Sequence, residues 1–121
     1  QQFVTPNNCS GYNFWPYGYQ FSVPYLDGIE ESIITEQQVT RNTTYLLGSN
    51  DTSTTGSLNT SDCQATLLGS NRVMRGENMH LYMQTFYEGT NNHEKIIVNN
   101  VGHNGYNMYN STEFKQYIMN N

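Results

Sequence analysis

Two apolar runs, each broken by a small polar loop holding one charge-bearing or proton-handling side chain, constrain the fold of this chain more than anything else in it. Thr43, Thr44, Tyr45, Leu46 and Leu47 form the first run, closed by Gly48, and Asp51 follows at once. Ile96, Ile97 and Val98 form the second, closed by Asn99 and Asn100, with His103 just beyond. Short runs of this kind read as buried strands of a parallel sheet. Between them Val73, Gly76, His80, Met83 and Tyr87 recur at three- and four-residue intervals, with Met79 and Phe86 beside them, which is the spacing of an amphipathic helix. Strand, helix and strand make a βαβ unit, and its right-handed crossover brings both strand ends to one edge of the sheet. Open α/β sheets place their chemistry at that carboxyl edge, so Asp51 and His103 are expected to be neighbours.

A carboxylate beside an imidazole has a definite use. It fixes the ring tautomer and stabilises the imidazolium formed when the histidine takes a proton from a nucleophile. In hydrolases with this type of sheet the nucleophile is a Ser in a G-x-S-x-G elbow, followed in the chain by the acid and then the His. No elbow occurs here, because Gly48-Ser49 continues as Asn50-Asp51 and Gly69-Ser70 as Asn71-Arg72. Acid and base are therefore candidates, and their nucleophile is expected upstream of Gln1. Asp51 also has a plainer reading as a turn or cap residue, since the Thr and Ser residues after it favour local hydrogen bonds. His80 in mid-helix and His93 in the turn after Asn91-Asn92 read as bystanders, whereas Gly102 and Gly105 give the His103 loop freedom to turn sharply and approach a neighbour. Arg72 and Arg75, two of only five basic residues, read as structural, bonding carbonyls or a carboxylate near the loop after Asp51 with their planar forks.

Five stretches follow one another along the chain: CSGYNFWPYG from Cys9 to Gly18, YLLGSNDT from Tyr45 to Thr52, LNTSDC from Leu58 to Cys63, NRVMRG from Asn71 to Gly76, and VNNVGHNG from Val98 to Gly105. In this order they resemble the C-terminal portion of α/β-hydrolase-fold proteins, in particular secreted or cell-surface members. The resemblance implies an α/β fold class, with the last parallel strands and flanking helices of an α/β-hydrolase fold, incomplete as a domain. It implies that Asp51 matches the triad acid and His103 the triad base of a serine-type hydrolase acting on ester or amide bonds. No metal or organic cofactor is needed for such chemistry. Asp62 is one residue more than the motif before Cys63 calls for, which leaves the shape of that loop open. A doubly wound hydrolase domain usually runs to roughly 200–300 residues, so 121 residues would leave a sheet edge unpaired and an apolar face open. The expected partner is the remainder of the domain, as an upstream segment or a second chain.

Residues 1–25 form an aromatic, proline-bearing segment too broken for a helix or a central strand. Its rings are expected either to plug the side of the core or to wall a substrate cleft. Residues 26–121 carry the βαβ-type core. Ile29, Ile33 and Ile34 among Glu30, Glu31 and Glu36 predict a helix from about Asp27 to Gln38. Asn110 with Glu113 three residues on predicts a capped last helix whose stripe is Phe114, Tyr117 and Ile118.

Composition enters where compartment and partners are at issue. Net charge is −5 with only 12% of residues charged, and no basic patch suggests nucleic acid. No apolar run approaches the roughly 18 residues that a membrane span requires. N-x-S/T sequons at Asn8, Asn42, Asn59 and Asn110 are candidate glycosylation sites; a fifth, Asn50, is a poor one because a glycan there would crowd Asp51. Cys9 and Cys63 lie in polar, loop-like contexts without the spacing of a zinc site. They are either a disulfide tying the aromatic segment to the loop after Asp51 or two free thiols, and with the sequons they point to an oxidising compartment, secreted or at the cell surface. Two other readings compete with the hydrolase. One is a catalytically idle, self-assembling surface glycoprotein on the same fold, and the other is a lectin-like module using the aromatic segment.

Overall fold

In the computed structural model, which describes residues 5–121, the two apolar runs pair side by side. β1 (Thr43–Gly48) and β2 (His93–Val98) are parallel, with Thr43 opposite His93 and Gly48 opposite Val98. Around them lie α1 (Glu31–Thr40), α2 (Cys63–Leu68), α3 (Arg72–Phe86), α4 (Gly105–Tyr109) and α5 (Thr112–Asn120). Side chains alternate across a strand, and here the alternation sorts the helices. Tyr45 meets His80 of α3 edge-on, Leu47 fills the space that a Cβ at Gly76 would need, and Lys95, opposite Tyr45, reaches Glu77 at 3.4 Å. Thr44 points the other way, its hydroxyl 2.7 Å from that of Tyr117 on α5. The result is a mixed α/β arrangement in which a two-stranded parallel sheet has α3 on one face and α5 on the other.

Full burial of the strands does not hold. Only Gly48 of β1 and His93 and Val98 of β2 are buried, and the apolar core of the described residues is Cys9, Val39, Ala65, Met83 and Val98. Among the described residues each strand pairs with a single neighbour, so each has an unpaired outer edge. On α1, Ile29 just before the helix and Ile33 within it are 43% and 45% exposed, which leaves an apolar face uncovered.

Boundaries shift for local reasons. The first helix begins at Glu31 rather than near Asp27, after Gly28 takes a left-handed φ of 81°. α3 starts where the Asn71 side chain accepts from the Met74 N–H at 2.9 Å, and ends at Phe86 with Tyr87 as its cap residue. His93 is not in a turn; it opens β2 and is buried. Its Nε2–H donates to the Gln38 carbonyl at 2.7 Å, so Nδ1 accepts from the Tyr45 hydroxyl at 2.8 Å. Burial pushes the Tyr45 phenol up, which keeps it a donor. The cap of the last helix also differs, because Ser111, not Asn110, accepts from the Phe114 N–H, at 3.1 Å. Glu113 is drawn instead to the turn after β2, where it accepts from the Asn99 backbone N–H at 3.2 Å. Hydrogen bonding to its own backbone N–H, and then to Asn99, holds its carboxyl below the ordinary range.

Cys9 and Cys63 form a disulfide, with Cα atoms 5.8 Å apart. It fastens the aromatic segment to α2. Residues 1–4 lie outside the described residues; from Thr5 onward the segment folds into turns with an isolated bridge between Phe14 and Gln20 and a 3-10 turn at Pro24–Leu26. Further ties are the Tyr19 hydroxyl to Gln38 at 2.8 Å and Asn59 to the Tyr17 hydroxyl at 3.2 Å. Its rings neither plug the core nor line the cleft beside Asp51. Phe14 and Phe21 meet edge-on, yet Phe21 and Tyr25 are almost wholly in solvent.

Candidate functional site

The parallel ladder does not stop at the strand ends. Ser49 N–H donates to Val98 O at 2.9 Å, Asn50 N–H to Val101 O at 2.9 Å, and Asn100 N–H to the Ser49 hydroxyl at 2.9 Å. Two polar loops are thereby carried forward side by side, and Asn100 completes the turn with a left-handed φ of 59°, a conformation Asn tolerates better than most residues. Gly48 permits the close approach, because an added Cβ would collide with the Val101 carbonyl oxygen. Gly102 and Gly105, expected to play that part, do not: a Cβ at Gly102 would make only ordinary contact and one at Gly105 would meet nothing. Gly48→Ala is therefore expected to destabilise the protein by about 1–3 kcal/mol, the usual cost of overpacking, as read from the urea midpoint; an unchanged midpoint would mean the loops part without strain.

Held this way, Asp51 and His103 meet. Asp51 Oδ2 lies 3.0 Å from His103 Nδ1. A carboxylate can only accept, so Nδ1 carries the hydrogen and Nε2 is left with its lone pair. No described residue bonds Nε2, and the His103 side chain is 68% exposed while that of Asp51 is 13% exposed. The half-buried carboxylate thus holds a ring that is itself largely in solvent. Beside the pair lies a cleft of about 320 Å³, walled by Leu46, Leu47, Val73, Met108 and Tyr109 together with the glycine loops. α4 supplies the last two of these residues; Asn104 caps it by accepting from the Asn107 N–H at 3.0 Å.

The acid has surroundings that sequence reasoning grasped only in outline. Asp51 N–H donates to Gly48 O at 3.0 Å, and its own carbonyl accepts from Val73 N–H at 3.3 Å at the start of α3. Arg72, the first residue of α3, places Nη1 3.7 Å from Asp51 Oδ1 and donates from Nη2 to the Ser57 hydroxyl at 2.9 Å. Arg75 donates to Gly69 O at 2.9 Å and to Asn59 O at 2.5 Å, clamping the loop between Asp51 and α3. Asp62 shapes that loop as well, accepting from Asn59 Nδ2 at 2.8 Å. The reading of both arginines as ties to carbonyls or a carboxylate fits these contacts. Ser49 and Gly48, which set the separation of the loops, carried no signal beyond their place at the strand end.

The other candidates lie apart. His80 packs on Tyr45 in mid-helix, and His93 is tied up in the core. Asn8, Asn42 and Asn110 are exposed, whereas Asn59 donates both hydrogens of its amide, to the Tyr17 hydroxyl and to Asp62. A glycan on Asn59 would displace one of them. Among the described residues no three His, Cys, Asp or Glu side chains gather as a metal site. No helix among them is long and apolar enough to cross a membrane.

Comparison with protein-family models, with curated proteins and with solved structures finds no match for the chain.

Proposed function

We propose that these residues are the C-terminal part of a secreted or cell-surface α/β-hydrolase-like domain and supply the acid, Asp51, and the base, His103, of a Ser-His-Asp triad. The observation that carries the reading is the 3.0 Å contact between Asp51 Oδ2 and His103 Nδ1, made by loops that leave the carboxyl ends of adjacent parallel strands. A half-buried acid, an exposed imidazole with an unengaged Nε2 and a largely apolar cleft alongside suit proton transfer to and from a seryl oxygen. The Ser comes from polypeptide outside these residues, since none of the serines here sits in an elbow. In the reaction the seryl oxygen attacks the acyl carbon and His103 Nε2 takes its proton. The bond to the leaving alcohol or amine then breaks, and the same proton passes to that group. Water repeats the sequence on the acyl-enzyme and restores the serine. Asp51 keeps Nε2 unprotonated in the resting state and stabilises the imidazolium. The same added polypeptide would pair the open sheet edge and cover Ile29 and Ile33.

The second reading, an idle hydrolase-like glycoprotein that self-assembles, is favoured by the aromatic and apolar side chains in solvent, Phe21, Tyr25, Tyr106 and Met119 among them. A fluorophosphonate ester separates the two, because it phosphonylates a serine only when a working base activates it. The full-length protein is expected to take up about one equivalent, on a serine N-terminal to Gln1, with the label abolished in His103→Ala. Absence of label from the folded protein would overturn the hydrolase reading and leave the structural one.

A further inference from the structure

The least explained atom near the site is Asp51 Oδ1. It is buried and no described group donates a hydrogen bond to it, although a buried carboxylate oxygen without a partner is costly. What stands against it is charge: the Arg72 guanidinium at 3.7 Å, too far for a hydrogen bond but close for an ion pair. The start of α3 adds to this, since the Asp51 carbonyl accepts from Val73 N–H and the positive end of the helix faces the same residue. Arg72 is not free to swing away, for its second nitrogen is held by Ser57 at 2.9 Å.

From this geometry we infer that Arg72 is a positioning residue for the Asp51–His103 pair. Its cation engages Oδ1 and sets the rotation of the carboxylate so that Oδ2 faces His103 Nδ1. Through Asp51 it thereby fixes which nitrogen of His103 carries the hydrogen. Its significance for catalysis rests on the triad proposed above; the effect on the imidazole does not. Without the cation, Asp51 can rotate, and an imidazole as exposed as His103 returns to the Nε2–H form that such rings favour in water. That form cannot accept a proton from serine.

The test is the tautomer of His103, read from ¹⁵N shifts of the full-length protein labelled at histidine, at a pH where the ring is neutral, with His103→Gln assigning the signal. Wild type is expected to be mainly Nδ1–H. Arg72→Gln should shift the ring to mainly Nε2–H, and Arg72→Lys, which keeps the cation, should retain Nδ1–H. A role limited to bracing the Ser57 loop would leave the tautomer unmoved, and an unchanged tautomer in Arg72→Gln overturns the inference. If Arg72→Gln fails to fold, the double variant with Asp51→Asn should regain a cooperative transition, because the charge that Arg72 serves is gone; failure of that rescue overturns it equally. Because no turnover is needed, a moved tautomer in a protein that takes no fluorophosphonate would retain Arg72's role while the hydrolase proposal falls. The reverse pattern would leave the hydrolase standing and remove Arg72 from its machinery. In an active protein, Arg72→Gln is also expected to lower kcat at least tenfold with KM little changed.

Discussion

Asp51→Asn in the full-length protein is expected to lower kcat for an ester substrate by roughly four orders of magnitude, the scale seen when a triad acid is exchanged for its amide, with KM nearly unchanged. The cause is a reversed hydrogen bond rather than a lost contact. An asparagine of the same shape can present its NH₂ to His103, so Nδ1 becomes the acceptor and the hydrogen moves to Nε2, where it blocks uptake of the seryl proton. The amide also cannot stabilise the imidazolium. His103→Ala should cost at least as much, and the double variant hardly more than either alone, since the two residues act as one unit. Steady-state kinetics on folded variants checks this. Activity within tenfold of wild type in Asp51→Asn would show that the 3.0 Å contact is only a structural tie between two loops.

The second large effect is on stability. Removing the disulfide by Cys9→Ser with Cys63→Ser is expected to cost about 4 kcal/mol in the chain-entropy model for a closed loop of this size. Native domains have only about 5–15 kcal/mol in all. The bridged cysteines are 54 positions apart, and the loop between them contains α1, β1 and Asp51. On the folded side, residues 5–25 keep hydrogen bonds to Gln38 and Asn59 and close packing of Gly11 against Gln64, so the loss falls mainly on the unfolded state. Urea unfolding of the oxidised protein and the variant reads the difference. Coincident midpoints would mean that the unfolded chain is already compact enough for the bridge to add nothing.

What could be read from the sequence depended on how much of each element is set by its own pattern. β1, β2 and α3 were legible because runs of apolar residues and a three-to-four spacing report burial directly, whichever neighbours do the burying. α2 and α4 were missed because five or six residues are too few to show a period. His93 escaped because a histidine after two asparagines looks like a turn until Gln38 and Tyr45 arrive from elements distant in sequence. Glu113 was misplaced for a related reason: a local cap and a remote orphan N–H at Asn99 compete for one carboxylate, and only the fold brings the second into range. At the site, the meeting of Asp51 and His103 followed from topology. The control exerted by Gly48, Ser49 and Arg72 did not, since it depends on contacts between loops.

The position of the disulfide gives the molecule an unexpected property as a mechanical object. Tension applied to the two ends of these residues passes from Cys9 to Cys63 through sulfur and never loads the chain between them. β1 and Asp51 therefore lie in a covalently closed ring, while β2, α3 and His103 lie on the stretched path. An intact bridge hides roughly 190 Å of contour length at full extension. A pull would therefore reach β1 only through its parallel pairing with β2 and the contact between Asp51 and His103, not along its own backbone.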